Sequence, residues 1–220
     1  MTTSRERGII FDLDGVLVDS MPAHIDAWIS AFRQVAGVSL DRRLFYELEG
    51  MRGIELVEKV LAEQGKKDIA LAEKVVKEKD RIFHSKTLPP PFEGVKDMVS
   101  SLRSAKAVVS GSSRRDVEAV LDSGIGKDLF DVLVTADDVK KGKPDPLSFA
   151  AALRKLGVPA GKAVVVENAP LGVLAANRAG IPCYVALNNT LLSPRDFDGL
   201  IDKSRIFDRT SSLRDVLEEG

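Results

Sequence analysis

The stretch that decides the fold is Gly8-Ile9-Ile10-Phe11-Asp12-Leu13-Asp14-Gly15. Its first five residues are a continuous apolar run closed by an acid, the pattern of a parallel strand buried on both faces. In an open parallel sheet, ligands sit beyond the carboxyl ends of the strands. Two carboxylates two residues apart at such an end, Asp12 and Asp14, are therefore aimed at a site. An aspartate closing a buried strand has to be solvated, paired or metal-bound. Gly15 permits the tight turn that brings both acids to one point. The same residues also suit a plain loop in which an Asp caps the next turn.

Outward from this strand, short β-branched runs recur at Ala105–Ser110, Phe130–Thr135, Ala163–Glu167, Cys183–Leu187 and, more weakly, Arg205–Phe207. Helix-length stretches lie between the later ones, at Asp116–Leu121, Pro146–Leu156 and Pro170–Ala179. Strands alternating with helices predict an α/β protein with a doubly wound, Rossmann-like parallel sheet. From Pro22 to Pro91 this rhythm stops. Ile25, Trp28, Ile29, Phe32 and Val35 fall on one helical face, and Ile54–Ala62 and Ile69–Phe83 are further helical stretches. Asp41 to Lys86 carries 11 basic and 10 acidic residues, a solvated helical module and not a charged tail. Pro89-Pro90-Pro91 cannot continue a helix and reads as a hinge or linker. The expected organisation is a core of residues 1–18 and 93–220 with an inserted helical domain over 19–92; helices packed on the sheet within one domain are the alternative.

The 220 residues suffice for a substantial core, with roughly 70% of the unfolded surface buried. Lys plus Arg total 32 and Asp plus Glu 33, a formal charge of -1. That balance argues against a nucleic-acid partner bound through a broad basic surface, and against an acidic disordered chain. The single cysteine, Cys183, excludes an intramolecular disulfide and a Cys-rich zinc site. No apolar run approaches the roughly 20 residues of a membrane span. The start, MTTSRERGII, has no signal-peptide core. A cytoplasmic protein without membrane partners is expected.

Three more strand ends carry polar groups suited to a phosphate site. Ser110-Gly111-Ser112-Ser113 precedes a helix and offers hydroxyls and N–H groups for a phosphate cradle, or a simple Ser N-cap. Lys141-Gly142-Lys143-Pro144-Asp145-Pro146 holds a lysine in a stiffened turn, either as a fixed cation or as a surface residue. Glu167-Asn168-Ala169-Pro170 offers hard oxygens for Mg²⁺, or an Asn cap.

In this order, FDLDGVLVDS, VVSGSS, KGKPDP and VVVENAPLGVLAANRAG resemble the four motifs of the haloacid dehalogenase-like superfamily of phosphatases and phosphomutases. The resemblance covers essentially the whole chain. The helical insertion after the first motif is similar to the subfamily with an α-helical cap, which includes phosphoglycolate phosphatase-like enzymes and β-phosphoglucomutase. The resemblance implies Asp12 as the nucleophile that becomes an aspartyl-phosphate, and Asp14 as the acid and base. It implies that Ser110 and the Gly111 N–H, with Ser112 beside them, hold the phosphoryl group. Lys143 would neutralise charge on Asp12 and the phosphate. Mg²⁺ would be bound by Asp12, the carbonyl of Asp14, Glu167 and Asn168.

The family usually has an Asp where this chain has Asn168, so weaker metal binding is expected. In the cap, His24 and Trp28 occupy places matching β-phosphoglucomutase. Leu48-Glu49-Gly50-Met51-Arg52-Gly53 resembles the substrate-specificity loop, with Gly50 and Arg52 as substrate contacts and Lys79 as a second cap cation. The mutase has a lysine before that glycine and an arginine three residues after it; here these are Glu49 and Gly53, which counts against mutase activity. The resemblance therefore implies a Mg²⁺-dependent phosphatase of a small phosphorylated metabolite, a sugar phosphate or phosphoglycolate, working as a monomer. A hexose phosphomutase is the runner-up, and a catalytically weakened binding or regulatory protein the third reading. A dinucleotide-binding dehydrogenase is disfavoured by the lack of GxGxxG after the first strand.

Overall fold

The computed structural model describes residues 6–219. The first five residues of the charged N-terminal lead-in lie outside the described residues. The strands are β1 (Gly8–Asp12), β2 (Ala105–Val109), β3 (Val132–Val134), β4 (Ala163–Glu167), β5 (Cys183–Ala186) and β6 (Ile206–Phe207). All pair in parallel, in the order β3-β2-β1-β4-β5-β6. The chain runs outward from β1 in one direction through β2 and β3, then resumes on the other side with β4. The order thus reverses at β1, and the crevice beyond β1 and β4 is the switch point where α/β sheets bind ligands.

β1 is buried along its whole length, as its unbroken apolar run requires. Ile9 and Phe11 point into one layer, with α5 (Val95–Ser101), α6 (Arg114–Gly124) and α9 (Arg214–Glu219). Ile10 points into the other, against α7 (Leu147–Leu156) and α8 (Pro170–Arg178). Helices on both faces make the sheet doubly wound, as the sequence predicts.

Between β1 and α5 the chain builds α1 (Met21–Ala31), α2 (Arg42–Glu47), α3 (Gly53–Glu63) and α4 (Ile69–His84), and α1 runs on into a π-helical turn over Phe32–Ala36. Asp41 and Asp68 cap α2 and α4, their carboxylates accepting from the N–H groups of Arg43 and Leu71. α1 and α3 both pack on α4. Ile25, Trp28 and Phe32 are buried in that packing, and Ile29 and Val35 are partly buried beside them. The triple proline is more than a spacer. Pro91 faces Val18 in an antiparallel bridge, Asp19 N donates to Pro90 O at 2.9 Å, and Phe92 N donates to Leu17 O at 3.1 Å. The two connections into and out of the helical segment are thus tied side by side.

Several elements differ from the sequence reading. Ser110 falls just outside β2, although its N–H still donates to Val134 O at 3.0 Å. β3 is three residues long, because a 3₁₀ turn over Lys127–Leu129 delivers Phe130 edge-on to Phe11 at 6.3 Å before the strand begins. The short helices α2, α5 and α9 have too few residues for a periodic signal.

Asp138, just past β3, gathers donors from three elements. It accepts from Thr135 N and Oγ1 at 2.9 Å each, from Arg114 at 2.6 Å and from Lys155 at 2.8 Å. Burial works against ionisation of its carboxyl, but these donors outweigh it and bring the pKa down to about 2. A depressed folded-state pKa gives stability that is present above the ordinary carboxylate value and is lost as pH falls through about 2. Asp138→Ala is expected to cost about 1–3 kcal/mol at neutral pH in urea denaturation. The gap to wild type should shrink as the pH is lowered toward 2. A gap independent of pH would show that the ionised carboxylate contributes nothing.

Candidate active site

Adjacent strands deliver the central groups. Asp12 ends β1, Ser110 follows β2 and Glu167 ends β4. Lys143 enters from the loop before α7 and joins two of them, its Nζ donating to Asp12 Oδ1 and, at 2.5 Å, to Glu167 Oε1. All three are buried, Lys143 at 3% exposure and Glu167 at 1%. The second oxygen of Glu167 accepts from the backbone N–H groups of Asn168 (2.9 Å) and Ala169 (3.1 Å). Glu167 thus accepts from three donors, and its first task is to hold Lys143. α8 approaches so closely that a Cβ at Gly172 would lie 1.8 Å from Glu167 Oε1.

Asp14 stands beside this trio with different partners. Ser20 Oγ donates to it at 2.5 Å, His24 Nε2 lies 3.2 Å from the same oxygen, and Ser110 Oγ donates to the other at 3.3 Å. The two acids differ accordingly. Burial is the main reason Asp12 is raised to about 8, with Glu167 and Asp14 adding to it and Lys143 opposing. Asp14 is somewhat less buried, and His24 and Ser20 overcome the burial penalty and keep its carboxyl below the ordinary range. His24 is itself pushed down by burial and by Lys79, and its ring stacks on Phe83 at 4.0 Å.

Asp12 and Asp14 open onto a cavity of about 300 Å³ roofed by the inserted helices, whose walls include His24, Trp28, Lys79 and Gly111. Ser112 also lines it, and its backbone N–H donates to Ser110 Oγ at 3.1 Å. The helix N-cap is the next residue, Ser113, which accepts from Asp116 N. Lys79 is buried, with its ammonium 5.2 Å from the Trp28 ring centroid and 4.9 Å from that of Phe83.

The loop between α2 and α3 lies directly on the core. Gly50 O accepts from Lys143 N at 3.1 Å, Glu55 Oε2 from Gly142 N at 3.0 Å, and Arg52 donates to Lys140 O at 2.9 Å. Gly50 has φ +91°, and a Cβ there would meet the Lys143 side chain at 2.6 Å. Arg52 lines the cavity, yet its guanidinium is anchored to the core.

Every site residue singled out in the sequence thus lies in or behind one cavity, with three qualifications. Arg52 pins the loop, Glu167 is spent on Lys143 and two N–H groups, and Asn168 sits behind the Gly15 turn and donates to Glu49 at 2.9 Å. Sequence reasoning missed Ser20, Glu55 and Asn188. Asn188, beyond β5, donates to Gly15 O at 2.6 Å and so holds the turn that carries Asp14. Its place at a strand end was the available signal.

The residues present fit Mg²⁺. Asn168 Oδ1 and Glu49 Oε2 are buried without hydrogen-bond partners among the described residues. Among those residues no three His, Cys, Asp or Glu side chains converge as ligands, so the donor set would mix Asp12 with amide and main-chain oxygens.

The chain matches the haloacid dehalogenase-like hydrolase family over residues 6–180. It is 33% identical over 185 residues to the validoxylamine A 7'-phosphate phosphatase of Streptomyces hygroscopicus subsp. limoneus, covering 82% of this chain and 85% of that one. It is 28% identical over 183 residues to the β-phosphoglucomutase of Bacillus subtilis, covering 80% of each. Among solved structures, CbbY of Rhodobacter sphaeroides in complex with xylulose-1,5-bisphosphate superposes with a TM-score of 0.76 at 26% identity, covering 94% of this chain and 96% of that one. The chain belongs to the haloacid dehalogenase-like hydrolases.

Because Gly172 leaves room for Glu167, Gly172→Ala is expected to displace Glu167 and with it Lys143. Turnover of an aryl phosphate should fall by about 10²-fold with the fold intact by circular dichroism. An unchanged rate would show that the Lys143–Glu167 contact is dispensable.

Proposed function

We propose that the chain is a Mg²⁺-dependent phosphatase of small phosphorylated metabolites, sugar phosphates foremost, that works by transient phosphorylation of Asp12. The observation that carries this reading is the division of labour between the two acids. Asp12 is held by Lys143 at the switch point of the sheet, and Asp14 stands next to it with proton-carrying neighbours.

In the first half-reaction the proton of Asp12 passes to Asp14, Asp12 attacks phosphorus as the carboxylate, the bond to the leaving oxygen breaks, and Asp14 gives that oxygen the proton. Asp14 is ionised in the free site, and the charge of an incoming phosphate raises its proton affinity. In the second half Asp14 takes the proton of the attacking water, and the P–O bond to Asp12 breaks. Ser110 Oγ and the N–H of Gly111 hold the transferring group, with Ser112 beside them, while Lys143 offsets the like-charge repulsion between carboxylate and phosphate. When bound by Asp12, Asn168 and the Asp14 carbonyl, Mg²⁺ supplies further charge neutralisation. Glu167, held by Lys143 and two backbone N–H groups, would add its charge from beside the site.

Residues 19–92 act as a cap domain over a core of 1–18 and 93–220. The paired connections at Val18 and Pro91, and the packing of α1 and α3 on α4, support this division. The working unit is taken to be a monomer. Among the described residues no helix is long and apolar enough to cross a membrane. With a single cysteine, this supports a cytoplasmic location.

Lys79 favours a second reading. A buried ammonium set against two aromatic rings in the cavity wall suits a substrate with a distal anionic or hydroxyl-rich end, as a phosphomutase needs. Against it, Glu49 occupies the place of a phosphate-gripping lysine and Arg52 is tied to Lys140. Hydrolysis therefore leads.

The test is phosphate release from a panel of sugar phosphates and phosphoglycolate, with Mg²⁺ or with a chelator. Sugar phosphates are expected to turn over only with Mg²⁺, and Asp12→Asn to lower kcat by about 10³-fold or more. Glucose 6-phosphate formed from β-glucose 1-phosphate and a trace of the 1,6-bisphosphate, without matching inorganic phosphate, would establish the mutase instead. No activity in either assay would overturn both.

A further inference from the structure

The cation site implied above is one negative charge short, because position 168 is an amide. A group on the inserted segment meets that shortfall. Glu49, in the loop between α2 and α3, reaches across to the core, where its Oε1 accepts from Asn168 Nδ2 at 2.9 Å. Both side chains are nearly inaccessible, Glu49 at 8% exposure and Asn168 at 1%. Glu49 lines the same cavity as Asp12 and Asp14.

The hydrogen bond fixes the amide. With Nδ2 committed to Glu49, Asn168 Oδ1 faces the other way, buried and unpartnered. Glu49 Oε2 is likewise buried and unpartnered. A buried carboxyl oxygen with no donor is costly unless the group keeps a proton or a cation faces it. The cations nearby do not fill that role. Lys143 Nζ is committed to Asp12 and Glu167. Arg52, in the same loop, donates to Lys140 O and leaves its Nε unpartnered, and Lys79 pairs with Asp80 at 3.3 Å beside Trp28 and Phe83; neither is hydrogen-bonded to Glu49. The neighbourhood thus holds three acids, Asp12, Glu167 and Glu49, around one paired lysine, with Asn168 Oδ1 and Glu49 Oε2 left unpartnered among them.

We propose that Glu49 supplies to the Asp12–Asn168 cation site the anionic charge that an aspartate at position 168 would otherwise provide. Glu49 and Asn168 then work as a carboxylate–amide pair in which the carboxylate has moved from the core to the inserted loop. An aspartate at 168 opposite an unchanged Glu49 would lose the Nδ2 donor and set two carboxylates against each other, so the two positions depend on one another. Gly15 belongs to the same arrangement, since a Cβ there would lie 2.1 Å from Asn168 Nδ2 and 3.3 Å from Glu49 Oε1.

This inference rests on Asp12 and Asn168 being a Mg²⁺ site, and the experiment separates the two claims. Mg²⁺ binding is measured by isothermal titration calorimetry, without substrate, on the wild type, Asp12→Asn, Glu49→Gln and the double variant Glu49→Gln/Asn168→Asp. Circular dichroism monitors each fold. Glu49→Gln is expected to weaken Mg²⁺ binding by about 10–100-fold. The double variant, which returns the carboxylate to the core and keeps one acid and one amide in the pair, is expected to recover most of that loss. Should Glu49→Gln fail to fold, the double variant alone carries the test: near-wild-type affinity supports the proposal, and lost binding overturns it. Wild-type affinity in Glu49→Gln, with binding lost in Asp12→Asn, would overturn the role of Glu49 and leave the metal site standing. No Mg²⁺ binding by the wild type would overturn both.

Discussion

The contact on which the rest depends is Lys143 between Asp12 and Glu167. It joins two carboxylates at the ends of the neighbouring strands β1 and β4, from a loop 131 residues beyond the first. Buried carboxylates side by side repel, and a lysine buried alone would shed its proton. Together they form a fixed triad, and the Lys143 ammonium is held well above its ordinary pKa by the two acids despite its burial. The sheet order makes the triad possible, because only at the reversal do strands from distant parts of the chain end side by side around an open crevice.

The triad also organises the surroundings. α8 comes close to Glu167 because residue 172 has no side chain, and the loop between α2 and α3 comes close to Lys143 because residue 50 has none. Those two glycines place one helix of the sheet layer and one loop of the inserted segment against the same three charges. Arg52, Glu55 and Gly50 then fasten that loop to the backbone of residues 140–143. A covered site excludes water from the phosphoryl group while leaving about 300 Å³ for the rest of a small substrate.

Much of this was legible in the sequence. Strands buried on both faces read as unbroken apolar runs, so all six strands could be found, and polar residues closing such runs, or following them, marked Asp12, Ser110 and Glu167. The helical face of Ile25, Trp28 and Phe32 was visible for the same periodic reason. What stayed hidden were contacts made by folding alone. Glu49 meets Asn168 across 119 residues, and nothing local to either position encodes the meeting. Arg52 looked like a substrate contact because its residue type suits phosphate; it lines the cavity, and folding also ties one of its N–H groups to the backbone carbonyl of Lys140, a contact nothing local encodes. Glu167 looked like a metal ligand, yet three donors already bind its two oxygens on the Lys143 and backbone side.

The central claim is that Asp12, and no other carboxylate in the cavity, receives the phosphoryl group. The most direct measurement is rapid acid quench of the enzyme turning over a sugar phosphate, followed by proteolysis and mass spectrometry. The account predicts one phosphoryl group on the peptide containing Asp12, lost at alkaline pH as an acyl phosphate is, and fragmentation that assigns it to that residue. A phosphoryl group on Asp14 or Glu49, or turnover with no phosphorylated peptide at any quench time, would contradict it.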